Sequence, residues 1–486
     1  MNGILFRDVV IGLTGRRADV RVLDGRVVGV EPIGLDPDGA EVIDGRGGTL
    51  LPGLVDAHAH LVQWASARQR VSLAEAKSAE HAVELFAAAQ VEPRPGELLA
   101  GANFNDALWP DRPHKTLLDR ALPDRPVALF SNDLHALWLS SAALRLVNRD
   151  HPTGVFVEDE CMSLTAALPA PDTAVSDRWV LEATDAAAAC GVTAIADYEY
   201  ADTVTDWTRR AATRRPSTRI RCVVARFLLD QAVERGNRTG DVLPGSAGLL
   251  TVGPLKLFVD GSLNTRTAYC HDHYPDHDYP GELLLDEAEL LALVRRAAAH
   301  GIAPALHAIG DHANRIALDV LGQVGGGRIE HAQLLDPADV GRFAELGVVA
   351  GVQPAHAPDD RDVADRHWPG RTDRAFAYAA LLAAGARLEF GSDAPVAPLD
   401  PWDGIASAVT RTDDDRPGWH PEQKIPLEAA LAASTGGRTE VRAGDRADLV
   451  LTGRDLREVP PDELRDMPIL ATLLDGRATY RDPDLR

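Results

Sequence analysis

The stretch LDEAELLALVRRAAAHGIAPALHAIG (residues 285–310) contains one complete helix–strand unit whose boundaries are marked in the sequence. Asp286 is a favourable N-terminal cap, Glu289 lies three residues further on, and Gly301 follows the last helical position. These signals are typical of a helix start and a helix stop. The short apolar segment that follows predicts a buried strand, which carries His307 near its end. Helices and strands of this length in alternation predict parallel strands joined by helical crossovers.

The same alternation recurs along the middle of the chain. Candidate strands begin near residues 51, 127, 192, 219, 255, 302, 328, 348 and 387. Nine strands are one too many for an eight-stranded barrel. We assign the strand near 127 to an insertion at about residues 62–178, which is too long and irregular for a single loop. The predicted fold class is therefore α/β, a (β/α)8 TIM barrel over residues 55–437 with an inserted segment.

Two further helices are predicted within this barrel. Asp336 and Pro337 are favourable first residues for one of them, and Gly347 follows its end. Residues 373–384 form the other predicted helical stretch, and Gly385 ends it. Both helices precede apolar segments, as expected for the later units of a barrel.

The two ends of the chain differ from this middle. Asp24-Gly25 near the start and Asp475-Gly476 near the end each lie between two apolar-rich runs. Both dipeptides are typical of two-residue hairpin turns. We predict a small composite β-sandwich domain built from both termini, residues 1–54 and 438–486, with two unrelated hairpins as the alternative.

Composition and charge exclude several classes of protein. The 486 residues include 50 lysines and arginines against 73 aspartates and glutamates, a formal net charge of −23. Such a field repels phosphate backbones and anionic lipids, so we expect a small-molecule substrate and neither nucleic acid nor membrane as partner. The start MNGILFRDVV lacks the pattern of a secretory signal, and the four cysteines contain no CxxC pair. We therefore expect a soluble, cytoplasmic protein.

Residues able to bind metal occur near the ends of the predicted strands. The first strand runs into VDAHAH (55–60), and the candidate ligands along the chain are His58, His60, Lys256, His307, His331 and Asp393. The carboxyl ends of barrel strands converge on one mouth, so these side chains are expected to meet there. Each residue also has an explanation that involves no metal. The histidines could be hydrogen-bonded core residues, Asp393 could cap a helix, and Lys256 could pack its aliphatic stem in the barrel with its ammonium group pointing outward.

Longer motifs around these residues are more specific. They are LPGLVDAHAHL (51–61), HALWLSSAAL (135–144), KLFVDGSLNTRTA (256–268), HAIGD (307–311), RIEHAQ (328–333), GVQPAH (351–356) and GSDAPVAPLDP (391–401). In this order they resemble the amidohydrolase superfamily of metal-dependent barrels. The closer resemblance is to its amidohydrolase-3 branch, the group of YtcJ-like and N-substituted formamide deformylase-like hydrolases. It extends over nearly the whole chain.

The resemblance implies a binuclear metal centre and a hydrolytic reaction. His58, His60 and Asp393 would hold one divalent ion, and His307 and His331 would hold the other. Carbon dioxide bound as a carbamate on Lys256 would bridge the two ions together with a hydroxide. Zinc suits imidazole and carboxylate ligands, with iron or manganese as alternatives.

The implied catalytic residues are Asp393 and His331. Asp393 would take the proton of the bridging hydroxide and pass it to the leaving amine. The reaction would be hydrolysis of a non-peptide C–N bond in a formamide, an N-acyl amide or a carbamate.

The substrate end of the site departs from the branch. Where a G-x-G-W-D-like element is usual, this chain has GANFNDALW (101–109), with Phe104 and Asn105 at the expected Trp and Asp positions. The predicted substrate-binding residues are His135, His356, Asp106 and Trp109.

Two other functions stay open. The superfamily also contains one-metal deaminases of ring amidines, in which Lys256 would be unmodified. It also contains non-catalytic, dihydropyrimidinase-like scaffolds that keep the barrel without metals. The sequence argues against a scaffold because all six ligand positions are filled. Families of this kind often form dimers, so the expected assembly includes a homodimer.

Overall fold

The structure is a computed structural model that describes residues 3–89, 98–104, 106, 109–131, 136–168, 171–275 and 278–485. The chain divides into two compact units. The first unit comprises Met1–Gln63 and Leu181–Arg486, and the second comprises Trp64–Val180. Among the described residues, the first unit contains two sheets and the second contains one.

A sheet of eight parallel strands dominates the first unit, and its strands are adjacent in the order of the chain. They are β1 (Leu54–Ala59), β2 (Val192–Asp197), β3 (Arg219–Ala225), β4 (Leu250–Phe258), β5 (Pro304–Ala308), β6 (Gly327–His331), β7 (Val348–Val352) and β8 (Arg387–Phe390). Most positions in these strands are buried and most of the buried ones are apolar, as expected for a parallel sheet covered on both faces. The predicted TIM-barrel fold is confirmed.

The first and last strands nearly close this sheet into a barrel. The His60 amide donates to the Ala394 carbonyl at 2.9 Å, and the Asp393 amide donates to the His58 carbonyl at 2.7 Å. Asp56 adds a side-chain link, since it accepts from the Ser392 hydroxyl at 2.6 Å. The backbone of three predicted ligands, His58, His60 and Asp393, therefore takes part in the closure.

Helices alternate with these strands along the chain. Those of the first unit, or bordering it, are Leu61–Ala67, Thr173–Ala189, Thr203–Thr213, Leu229–Glu234, Glu287–Ala299, Asp311–Gly322, Pro337–Glu345, His356–Asp359, Arg361–His367, Tyr378–Ala383, Pro401–Thr410 and Leu427–Ser434. Asp286 and Asp336 cap their helices as predicted, each accepting a backbone N–H of the first turn.

The helix predicted over residues 373–384 is shorter in the structure. A 3-10 turn covers Thr372–Arg374, and the α-helix begins only at Tyr378. Phe376 has φ 51°, and its amide donates to the Gln333 carbonyl outside the helix. A residue in the left-handed region cannot continue a right-handed helix, so the prediction was wrong over the first half of this stretch.

Strands from both termini form a second sheet in the first unit. Its eight strands are Ile4–Ile11, Arg17–Leu23, Arg26–Glu31, Glu41–Asp44, Thr49–Pro52, Leu449–Thr452, Ile469–Leu474 and Arg477–Arg481. Both predicted hairpins are present, with positive φ at Asp24-Gly25 and at Asp475-Gly476. Thr49–Pro52 pairs with Leu449–Thr452 and so joins the two ends of the chain.

The described residues of the second unit form a five-stranded sheet and four helices. Its strands are Val71–Ser72, Leu99–Phe104, Val127–Ser131, Ala136–Leu139 and Val155–Val157, and its helices are Ala79–Ala88, Lys115–Ala121, Ser141–Leu146 and Glu158–Ala167. The strand at Val127–Ser131 lies in the middle of this sheet and not in the barrel. Among the described residues of the whole chain, no helix has the length and apolar character needed to cross a membrane.

Candidate metal centre

The six predicted ligands lie at the carboxyl ends of barrel strands. His58 is in β1 and His60 follows it, while Lys256, His307 and His331 lie in β4, β5 and β6, and Asp393 follows β8. Parallel strands present these ends at one mouth of the barrel, which is where catalytic groups of such barrels are found.

One group of three side chains could hold a cation. The Nε2 atoms of His58 and His60 lie 3.5 and 3.3 Å from Asp393 Oδ1. Ligand atoms of these three residues all lie within 4.8 Å of one another. His58 Nε2 is buried and has no hydrogen-bond partner in the described part of the chain. A buried nitrogen left without a partner is costly, so this donor set fits a bound metal ion.

A second group shares Asp393 with the first. Ligand atoms of His331, His356 and Asp393 also lie within 4.8 Å of one another. His356, which the sequence placed among the substrate-binding residues, is therefore beside a predicted metal ligand. His307 belongs to neither group among the described residues, but its ring centroid is 4.5 Å from that of His331. Its Nε2 donates to the Gly261 carbonyl at 2.9 Å, which leaves Nδ1 available to a ligand.

Two neighbouring side chains, Glu330 and Gln353, orient the rings of His58 and His331. His58 donates from Nδ1 to Glu330 Oε2 at 2.8 Å, and His331 donates from Nδ1 to Gln353 Oε1 at 2.9 Å. Because one ring nitrogen is engaged in each case, the lone pair of the other nitrogen faces the site. The sequence analysis missed both Glu330 and Gln353 as functional residues.

Glu330 is fully buried and is the centre of a network of charged and polar groups. It accepts from the Tyr198 hydroxyl at 2.8 Å and pairs with Arg328, which also binds Glu389. Burial opposes its ionisation, but Arg328 and His58 outweigh burial and hold the Glu330 pKa well below its usual range. The signal was present in the sequence, since Arg328 and Glu330 flank Ile329 in a buried strand, GRIEH (327–331).

Lys256 is only 2% exposed. Its Nζ lies 5.0 Å from the ring centroid of Tyr198 and 4.9 Å from that of Phe258. Burial lowers the Lys256 pKa to about 8, because a charged ammonium is poorly solvated there. A lysine of this kind at the end of a barrel strand is not explained by packing alone.

The backbone is strained at two of the predicted ligands. His331 has φ 77° and Asp393 has φ 58°. Both angles are in the left-handed region, which residues other than glycine rarely adopt. Strain of this kind persists only where the surroundings hold it, and it clusters at functional sites. Burial raises the Asp393 pKa, but a hydrogen bond from His60 and the nearby imidazoles outweigh it and hold that pKa well below its usual value.

Of the remaining predicted substrate residues, Asp106 and Trp109 lie in the second unit. His135 lies outside the described residues. Asp106 is exposed, and its carbonyl accepts the Trp109 amide at 3.1 Å. Trp109 is half-buried and donates from Nε1 to the Ala76 carbonyl at 3.2 Å. A role for these three residues in substrate binding stays a prediction.

The barrel and the donor set at its mouth are those expected of a metal-dependent hydrolase of the TIM-barrel class. The chain matches the amidohydrolase family over residues 41–480, and it belongs to that family.

Relatives of known sequence agree with this assignment, and a solved structure agrees with the fold. The chain is 28% identical to the putative amidohydrolase YtcJ of Bacillus subtilis, over 90% of each chain. It is 27% identical to N-substituted formamide deformylase of Arthrobacter pascens, over 91% of this chain and 90% of that protein. An uncharacterised metal-dependent hydrolase from Pyrococcus horikoshii has the same fold, with a TM-score of 0.80, 22% identity, and 95% and 99% of the two chains covered.

Proposed function

We propose that the protein hydrolyses a non-peptide C–N bond, in a formamide, an N-acyl amide or a carbamate, at a binuclear metal centre. The observation that carries the proposal is the meeting of these candidate ligands at one mouth of the barrel. His58, His60 and Asp393 form one ligand group, and the ring centroid of His331 lies 5.1 Å from that of His58 and 4.5 Å from that of His307. The similarity to an N-substituted formamide deformylase along 91% of the chain supports the choice of bond.

The proposed ligand sets follow the order of the strands. His58, His60 and Asp393 would hold one ion, and His307 and His331 would hold the other, with carboxylated Lys256 between them. Zinc is the proposed metal, because imidazole and carboxylate donors suit it. Bound divalent ions supply Lewis-acid polarisation of the carbonyl and lower the pKa of water.

The residues of the chain then direct the proton. Asp393 accepts a proton from the attacking water at a carboxylate oxygen, and the water oxygen forms a bond to the carbonyl carbon. The C–N bond breaks as Asp393 returns the proton to the leaving nitrogen, which gives an amine together with a carboxylic acid from an amide or a carbonic acid half-ester from a carbamate. His331 is held at Nδ1 by Gln353, which leaves its other nitrogen for the second ion.

The test is amine release from simple amides. Protein loaded with zinc in the presence of bicarbonate is incubated with N-alkyl formamides, N-acetyl amines and alkyl carbamates, and free amine is measured. We expect release that is lost after treatment with a chelator. Release of ammonia from ring amidines alone would instead favour the one-metal deaminase.

Asp393→Asn should lower kcat by roughly 10²–10⁴-fold while the variant still folds, because the proton carrier is removed. Exposed Asp362 is the matched control, and Asp362→Asn should turn over at the native rate. A near-native rate for Asp393→Asn would remove Asp393 from the mechanism.

A further inference from the structure

Three aromatic residues lie next to one another where consecutive barrel strands end. Tyr200 follows β2, Phe227 follows β3, and Phe258 is the last residue of β4. The ring centroids of Tyr200 and Phe227 are 5.2 Å apart at 69°, and those of Tyr200 and Phe258 are 5.9 Å apart at 72°. We call this group the aromatic wall.

The aromatic wall begins at the candidate metal centre. The Phe258 ring centroid lies 5.2 Å from that of His307 and 4.9 Å from Lys256 Nζ. Phe258 is half-buried, so the inner end of the wall borders two of the proposed ligands. The edge-to-face contacts then extend the wall away from the centre through Tyr200 to Phe227.

The outer end of the wall is open to solvent. Phe227 is 60% exposed and Tyr200 is 46% exposed. Large aromatic side chains lose favourable burial when they stay in water, and neighbouring exposed ones often mark a binding surface. Much of each ring is left uncovered in the folded chain, so packing in the hydrophobic core does not explain why aromatic residues occupy these two positions.

We propose that the aromatic wall binds an aromatic group of the substrate while the scissile bond lies at the metal centre. This inference rests on the proposed function. Edge-to-face and offset contacts favour an aromatic ring over a saturated ring of the same size. A substrate is favoured over a second copy of the chain, because stable protein interfaces bury about 800 Å² on each partner. Two partly exposed rings supply far less than that.

The experiment compares aromatic and saturated rings of matched size. N-(2-phenylethyl)formamide and N-(2-cyclohexylethyl)formamide place the ring on the amine. The N-methyl amides of phenylacetic and cyclohexylacetic acid place it on the acyl group. For each pair, kcat/KM is measured with zinc-loaded protein, and Kd is measured by calorimetry with metal-free protein. We expect the aromatic member of one pair to be favoured about three- to tenfold in both quantities.

Two variants assign the preference to the wall. Phe227→Leu keeps an apolar side chain but removes the ring, and should bring the aromatic-to-saturated ratio close to one. Val242→Ala removes an exposed apolar group beside Thr251, at the opposite end of β4, and should leave the ratio unchanged.

The possible outcomes separate this inference from the proposed reaction. Turnover with a ratio near one in both pairs, or a ratio that Phe227→Leu does not change, would overturn the role of the wall and leave the reaction standing. A preference in Kd without turnover of any amide would support the wall and contradict the reaction. If Phe227→Ala dissociates a dimer without changing the ratio, the wall is a subunit interface and the inference is wrong.

Discussion

At the scale of single residues, the centre depends on which nitrogen of each histidine is left free. Glu330 engages Nδ1 of His58, and Gln353 engages Nδ1 of His331. Metal-binding histidines are commonly fixed in this way by a carboxylate or an amide, and such partners tune affinity. The sequence placed the histidines at one mouth, but it could not show these pairings, since they depend on side chains of neighbouring strands.

Glu330→Gln should weaken zinc binding about 10–100-fold, because the charge that orients and polarises His58 is lost. Affinity is measured by competition with a chromogenic chelator, and thermal melting of the metal-free protein checks folding. Glu389→Gln is the matched control, since Glu389 binds Arg328 but makes no hydrogen bond or ion pair with His58 in the described part of the chain. Equal affinities for the wild type and Glu330→Gln would show that Glu330 has only a packing role.

At the scale of elements, strand β7 packs closely against the buried side chains of Arg328 and Glu330 in β6. A Cβ on Gly351 would overlap Glu330 Oε2 and would lie 2.8 Å from Arg328 Nη2. Glycine is therefore required by a close approach and not by an unusual backbone angle. The alternation of apolar segments predicted the strand itself, but the need for glycine appears only once β6 and β7 are paired.

Gly351→Ala should destabilise the protein by about 1–3 kcal/mol, because the added methyl group overpacks a rigid buried site. The free energy of unfolding is measured by denaturant titration of the metal-free protein. Gly404→Ala is the control, since its Cβ would meet only Pro354 Cδ at 3.9 Å in a helix, where alanine is favoured by roughly 0.5–1 kcal/mol. A neutral Gly351→Ala would mean that Glu330 and Arg328 can move apart freely.

At the scale of the whole molecule, the barrel was predictable because helix caps and apolar strands alternate along the sequence. The convergence of His58, His60 and Asp393 followed from the same alternation, since all three lie at strand ends. The position of His356 beside His331 did not follow, because it depends on the course of the segment after β7. The aromatic wall could not be predicted from the sequence either, because its residues come from the ends of three different strands.

Lys256→Ala should lose activity and the bridge between the two proposed ions, because no carbamate can form. Acetate or propionate in the cavity should restore part of the activity by supplying the missing carboxylate. Turnover is measured with the amide that the wild type hydrolyses best, with and without the added acid. Full activity of the unrescued variant would rule out the carbamate.

The most direct test of the proposed centre is metal content per chain by plasma mass spectrometry. The protein is purified without chelator and with bicarbonate present, and Lys256→Ala is measured beside it. The ligand group of His58, His60 and Asp393, with His307 and His331 adjacent to it, predicts about two equivalents of zinc per chain for the wild type and a lower content for the variant. One equivalent in both proteins, or none after reconstitution, would contradict the binuclear centre.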